Sequence, residues 1–245
     1  MRFQRSNPAI QGIRLDQSLQ QRYHLIQKCI ESCSTKHLST MKKVVILGAS
    51  KQQSVDAIRQ LYELGITHFG ENYVQDALPK ISSTADTKIK WHYIGKVQSN
   101  KTQLIATHFD WVQSVDRLRI AERLNQTRSL LQDKEPLNVC IEVNVDNEPS
   151  KSGIQTTEVH NFVKSLKQFK SLQLRGLMAI PNASSDVKET RQAFRRLYEL
   201  FVTCGTLDSP RWDTLSMGMS ADYHIAITEG ATMIRLGTAL FGPRK

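Results

Sequence analysis

Eight short runs rich in Val, Ile and Leu, each followed by a helical stretch, predict an α/β fold for this 245-residue chain: a single closed (β/α)8 TIM barrel with an extra N-terminal helix. Three observations carry that prediction. Strict alternation of strand and helix argues for a parallel sheet, since a parallel neighbour is reached only through a crossover. Eight repeats favour closure into a barrel over an open doubly wound sheet, the alternative if one run is miscounted. The length and a 40% hydrophobic content suffice for one substantial core, and no repeat or Gly/Ser/Pro-rich linker divides the chain. Residues 1–245 are therefore expected to form one domain, with 1–40 as N-terminal extension and helix and 44–242 as barrel.

In chain order, a polar amphipathic segment from about Leu15 to Ser34 predicts the extra helix. The predicted strands are Val44 to Ser50, Thr67 to Glu71, Lys90 to Gly95, Trp111 to Val115, Asn138 to Val145, Leu172 to Ile180, Thr214 to Met217 and Met233 to Leu236. Helices are predicted between them at Ser54 to Leu64, Tyr73 to Ile81, Ser99 to Thr107, Asp116 to Leu131, Thr156 to Phe169 and Val187 to Cys204.

Composition narrows the function. There is no apolar run long enough to span a bilayer, and Met1-Arg2-Phe3-Gln4-Arg5 lacks the apolar core of a secretory signal, so a cytoplasmic location and no membrane partner are expected. Cys29, Cys33, Cys140 and Cys204 form no CxxC pair and read as free thiols rather than a metal site or disulfide framework. The net charge of +10 raises nucleic acid as a partner. Its basic residues are scattered, however, and groups such as Lys164, Lys167 and Lys170 or Arg191, Arg195 and Arg196 read as solvated helix faces. No zinc-finger spacing, RNA-binding signature or basic region leading into heptads accompanies them.

Barrel active sites lie at the C-terminal ends of the strands. The first strand there ends in Ser50-Lys51, directly after Val44-Val45-Ile46-Leu47-Gly48-Ala49. A lysine at the end of a buried strand either reaches to solvent or is held partly desolvated, and desolvation disfavours the charged form of an amine and suits it to attack a carbonyl and form a Schiff base. Glu71-Asn72 and Ser114, at the ends of strands two and four, read first as helix N-caps. The last quarter is more specific. Ser216-Met217-Gly218-Met219-Ser220 follows strand seven and Gly237-Thr238 follows strand eight, where barrels commonly bind phosphate through backbone amides and hydroxyls. Arg235, inside strand eight, either pairs with a carboxylate lower in the barrel or points to an acceptor at its mouth.

These residues also carry a resemblance. Ser50-Lys51, Phe69-Gly70-Glu71-Asn72-Tyr73-Val74-Gln75, Trp91-His92-Tyr93-Ile94-Gly95 with Gln98-Ser99-Asn100-Lys101, Lys151-Ser152-Gly153, Gly176-Leu177-Met178 and Leu215-Ser216-Met217-Gly218-Met219-Ser220 resemble the YggS/PROSC family of pyridoxal 5′-phosphate (PLP) homeostasis proteins. The likeness runs from about Val44 to Phe241, and Met217 to Gly242 is its most distinctive part. It implies a barrel like the N-terminal domain of alanine racemase and PLP held as a Schiff base on Lys51. It also implies phosphate contacts from Met217, Gly218, Met219, Ser220, Gly237 and Thr238, Arg235 facing the pyridine nitrogen, and Asn72 beside the ring. Two departures stand out: Gln52-Gln53-Ser54 lacks the proline that often follows the lysine, and Gly48-Ala49 replaces the commoner Ala-Val. Residues before about Leu15 match no family pattern.

A guanidinium only donates, so Arg235 would keep the ring nitrogen an unprotonated acceptor and weaken the electron sink that PLP catalysis needs. Alanine racemase works with this arrangement because a second domain and partner subunit supply a tyrosine base, and no length for such a domain is expected after Lys245. The expected function is therefore a monomeric PLP carrier that stores, buffers or delivers the cofactor, with PLP-dependent apo-enzymes as recipients and no robust turnover. The alternatives are slow racemase or lyase chemistry using Lys51 with His92, Lys101 or Lys151 as base, and a basic interaction or nucleic-acid-binding module.

Overall fold

The computed structural model describes residues 17–33, 44–182, 186–205 and 211–243. Eight strands close on themselves: β1 (Val45–Ala49), β2 (His68–Glu71), β3 (Lys90–Tyr93), β4 (Trp111–Val115), β5 (Leu137–Asn144), β7 (Leu172–Met178), β8 (Thr214–Ser216) and β9 (Met233–Leu236). Every pairing is parallel, and β4 bonding to β5 joins the two arms of the order β4-β3-β2-β1-β9-β8-β7-β5 into a barrel. A two-residue strand, β6 (Ile154–Gln155), extends the rim beside β5. All eight predicted strands are present, each within two residues at either end.

The helices wrap this barrel: α2 (Val55–Glu63), α3 (Val74–Ser83), α4 (Thr102–His108), α5 (Leu118–Ser129), α6 (Val159–Leu166) and α7 (Val187–Gly205) follow their strands, with 3-10 turns at Ser99–Lys101 and Thr156–Glu158 leading α4 and α6. Two short helices, α8 (Tyr223–Thr228) and α9 (Thr238–Phe241), follow β8 and β9 and were not foreseen. Their six and four residues are too few to show a helical period. Each helix turns its apolar stripe to the barrel, as in α2, where Ile58 and Leu61 are fully buried.

The extra helix, α1 (Gln17–Ser32), is fastened to the barrel rather than standing apart from it. Leu19 and Ile26, two turns apart on one face, are buried. Arg22 donates through Nε to Leu240 O at 3.0 Å and through Nη2 to Phe241 O at 3.1 Å, capping carbonyls at the end of α9. The part of the expected extension before Gln17 lies outside the described residues.

Several helix-face arginines do more than meet solvent. Arg191 and Arg195 of α7 both pair with Glu229, whose side chain is buried, and Arg196 pairs with Asp146, so they fasten α7 to the loops after α8 and β5. All four cysteines are free thiols, with Cys140 and Cys204 buried. No helix among the described residues is long and apolar enough to cross a membrane.

Candidate functional site

The predicted site residues fall at the C-terminal ends of four strands that are consecutive around the barrel, β8, β9, β1 and β2. The register brings them together: Leu47 of β1 stands opposite Arg235 of β9, and Ala49 opposite Gly70 of β2. Lys51 is half-buried, two residues beyond the β1 end, and its amine has no partner among the described residues. Gln52 then takes a left-handed conformation (φ 60), which turns the chain away toward α2 immediately after the lysine.

The residue before Lys51 is held at three points. Ser50 N donates to Gly70 O at 3.0 Å, Ser50 Oγ donates to Glu71 Oε1 at 2.6 Å, and Ser50 O accepts from Lys80 Nζ at 2.7 Å. Lys80 also meets Glu71 Oε1 at 2.6 Å, so a buried ion pair from β2 and α3 clamps the end of β1. Glu71 is fully buried and its Oε2 has no partner among the described residues. Sequence reasoning read Glu71-Asn72 and Ser114 as helix caps, and the structure corrects this. The N-cap of α3 is Tyr73, with no side-chain bond, and Ser114 Oγ donates instead to Gly95 O. The true cap nearby is Ser54, which accepts from Ala57 N at the start of α2.

Asn72 is half-buried beside Gly95, and this contact requires the glycine. A Cβ at residue 95 would stand 2.2 Å from Asn72 O. The departure at Gly48 also has a physical reason, since a Cβ there would meet the Phe69 ring at 2.9 Å.

The two glycine-containing loops converge. Ser220 Oγ accepts from the amides of Gly237 and Ala239 at 3.2 and 3.0 Å, while the amides of Gly218, Ser220 and Thr238 have no partner among the described residues. Gly218 has φ +90, and a Cβ on it would press to 2.5 Å from Ala226 Cβ, so only glycine keeps this loop against α8. At Gly237 the nearest atom to an added Cβ is Ala49 O at 3.9 Å, so the space above it is open. Thr238 and Met219 are exposed at the rim, and Met217 is buried beneath it. The loops thus offer a nest of N–H and O–H donors, the chemistry of an anion site, although the Met219 amide is already engaged by Asp222 Oδ1 at 2.6 Å.

Arg235 stands at the base of this mouth, 5% exposed. It makes no ion pair among the described residues: Nη1 donates to Ser216 Oγ at 2.8 Å and Nη2 to Ala179 O at 2.9 Å. Of the two sequence readings, the carboxylate-paired one is therefore wrong. Burial lowers its pKa to about 10, against the pull of Asp222, Glu142 and Cys140. Glu142 of β5, missed in the sequence, is pushed up to about 7 by burial and by Asp116, with Arg235, Lys96 and Arg117 opposing. Of the candidate bases, His92 is fully buried inside the barrel, held well below its ordinary range by burial and by His68 and Arg175. Lys151 donates to Ile180 O at 3.1 Å, and Lys101 closes the 3-10 turn before α4.

A barrel carrying a free strand-end lysine, a two-loop anion nest and a buried arginine between them defines a class, and comparison agrees. The alanine racemase N-terminal domain family matches residues 17–245. The chain is 44% identical over 230 residues to the pyridoxal phosphate homeostasis protein of Haemophilus influenzae, covering 93% of this chain and 96% of that one. It is 48% identical over 201 residues to the protein of that name from Pseudomonas aeruginosa, covering 82% and 85%. PipY of Synechococcus elongatus, solved with PLP bound, superposes with a TM-score of 0.77 at 32% identity, covering 91% of this chain and all of PipY. The chain belongs to the pyridoxal phosphate homeostasis protein family.

Proposed function

We propose that this chain binds PLP and serves cytoplasmic PLP homeostasis as a carrier that stores, buffers or delivers the cofactor to apo-enzymes. The observation that carries the reading is the convergence of strand ends: Lys51, whose amine has no partner among the described residues, follows the strand paired with that of Arg235, and the loops of Ser220 and Gly237 join at the ends of the neighbouring strands. The residues fit the group. The unpartnered amides of Gly218, Ser220 and Thr238, with the hydroxyls of Ser220 and Thr238, suit a phosphate dianion. Gly237 leaves room above the nest, and Asn72, packed against Gly95, would stand beside the ring. Lys51 would hold the group through its amine, and the cofactor would supply the aldehyde for that Schiff-base attachment.

The chain's own residues favour holding over turnover. Arg235 donates and never accepts, so it leaves an aromatic nitrogen unprotonated. His92 is locked inside the barrel with its Nδ1 facing Gln113 Nε2 at 3.0 Å, out of reach of the mouth as a base. Lys151 is engaged with Ile180 O and Glu148. Purified protein loaded with PLP is expected to reactivate an apo form of a PLP enzyme while turning over amino acids far more slowly than that enzyme does. Efficient, saturable turnover of an amino acid that disappears in Lys51→Ala would overturn the carrier reading.

A further inference from the structure

Beneath Arg235 the barrel interior is polar along one line. Arg235 Nη1 meets Ser216 Oγ at 2.8 Å, Ser216 Oγ meets Gln113 Oε1 at 2.6 Å, Gln113 Nε2 meets His92 Nδ1 at 3.0 Å, and His92 Nε2 meets His68 Nδ1 at 2.8 Å. The five residues come from β9, β8, β4, β3 and β2. Ser216, Gln113 and His92 are fully buried, and His68 is half-buried. His68 reaches a cavity of about 340 Å³ at the opposite, N-terminal mouth, where Lys90, Asp110 and Arg175 also stand.

Donor and acceptor chemistry gives this line a direction. A guanidinium has only donors, so Ser216 Oγ accepts from it and sends its single proton to Gln113 Oε1. The amide N–H of Gln113 then faces His92 Nδ1, which must accept. His92 is therefore neutral with its proton on Nε2, and it donates to His68 Nδ1, which leaves the His68 proton on Nε2. A second proton on His92, or one on His68 Nδ1, would set two donors face to face. Burial acts in the same sense. It brings His68 down to about 4, with Lys90 and Arg175 adding to the effect and Asp110 opposing, and it lowers His92 further in company with His68 and Arg175. The guanidinium is the one formal charge on the line. Hydrogen bonds in series polarise one another, so the far members reinforce the contact made by the first.

We propose that Gln113 and His92 are positioning residues for Arg235: the one-way chain Arg235→Ser216→Gln113→His92→His68 fixes the Ser216 hydroxyl as an acceptor and aims the guanidinium at the ring nitrogen of bound PLP. The proposal rests on the PLP-binding reading above. None of these residues except Arg235 touches the ligand. Their effect is felt where the guanidinium points.

Two measurements test it. The first needs no ligand and no variant. Long-range proton–nitrogen correlation spectra of uniformly 15N-labelled protein should show His92 and His68 as neutral Nε2–H tautomers between pH 6 and 8. An Nδ1–H tautomer or an imidazolium for His92 at pH 7 would overturn the chain's direction. The second compares PLP with its 1-deaza analogue, which carries C–H in place of the ring nitrogen. Wild-type protein should prefer PLP, and Gln113→Met and Ser216→Ala should each shrink that preference about fivefold, the worth of one hydrogen bond, with affinity for the analogue nearly unchanged. Ser216→Thr keeps the hydroxyl and should keep the preference. Should Gln113→Met fail to fold, Ser216→Ala carries the same comparison. A full preference surviving in a folded variant would overturn the positioning role. Wild-type protein that binds neither ligand would instead overturn the PLP reading and the ring-directed half of the proposal, which the tautomer measurement separates from the chain itself.

Discussion

Replacing Lys80 by Met removes the cation from a buried pair and tests whether the clamp behind Lys51 is structural. The Lys80 side chain is 12% exposed and that of Glu71 is 0%, with Nζ and Oε1 at 2.6 Å. The substitution keeps most of the aliphatic stem but leaves Glu71 accepting only from Ser50 Oγ, with Oε2 still unpartnered. Breaking one side of a buried ion pair typically costs about 3–5 kcal/mol, because the remaining charge is desolvated without compensation. For a chain of this size that corresponds to a fall in Tm of roughly 6–20 °C. Removing both partners, in Lys80→Met with Glu71→Leu, takes away the stranded charge and should recover most of the loss. Urea unfolding of wild type, both single variants and the double variant measures the coupling directly. A Lys80→Met protein within about 1 kcal/mol of wild type, the range of an exposed surface pair, would refute the clamp.

Three further outcomes follow from the site. Ser220→Ala with Thr238→Ala removes two hydroxyl donors, each worth about 1.5–3 kcal/mol toward a charged acceptor, so affinity for PLP should fall well beyond affinity for pyridoxal; equal losses for both would place the phosphate elsewhere. Gly95→Ala would force a methyl into the 2.2 Å approach to Asn72 O, and should weaken PLP binding by at least about tenfold in titrations of a protein that still folds; unchanged affinity would remove Asn72 from the site. Glu142 is raised from 4.5 to about 7, so the folded state holds its proton longer than the unfolded chain and stability falls as pH rises between those values. Glu142→Gln should accordingly match wild type in denaturation at pH 4 and exceed it at pH 8, and the reverse order would show that the carboxylate is stabilised in the barrel.

The fold was legible because closure of a parallel barrel is written as a count. Eight buried runs read out as eight strands, and the barrel rule then sent attention to Lys51 and to the loops after β8 and β9. Contacts that join distant strands were not legible. Glu71 and Lys80 lie nine residues apart on β2 and α3, and nothing in either segment says that the lysine folds back over the strand end. The chain from Arg235 to His68 draws on five strands, and its members meet only because the barrel's register sets them side by side. A signal was present in Trp91-His92-Tyr93 and Trp111-Val112-Gln113, where one polar residue interrupts a buried run. That pattern marks a polar barrel interior but names no partner. Capping, the default for polar residues after a strand, failed at Glu71 and Ser114 for the same reason, since the groups they meet come from other elements: Ser50 and Lys80 for Glu71, Gly95 for Ser114.

Covalent attachment is the most direct test of the account's central claim, that PLP is held at the end of β1. Protein incubated with PLP, reduced with borohydride, digested and mapped by mass spectrometry should carry the cofactor on the peptide containing Lys51, and Lys51→Ala should lose that adduct while retaining weaker, phosphate-dependent binding. An adduct found only on other lysines, or wild-type protein that stays colourless in added PLP, would contradict it.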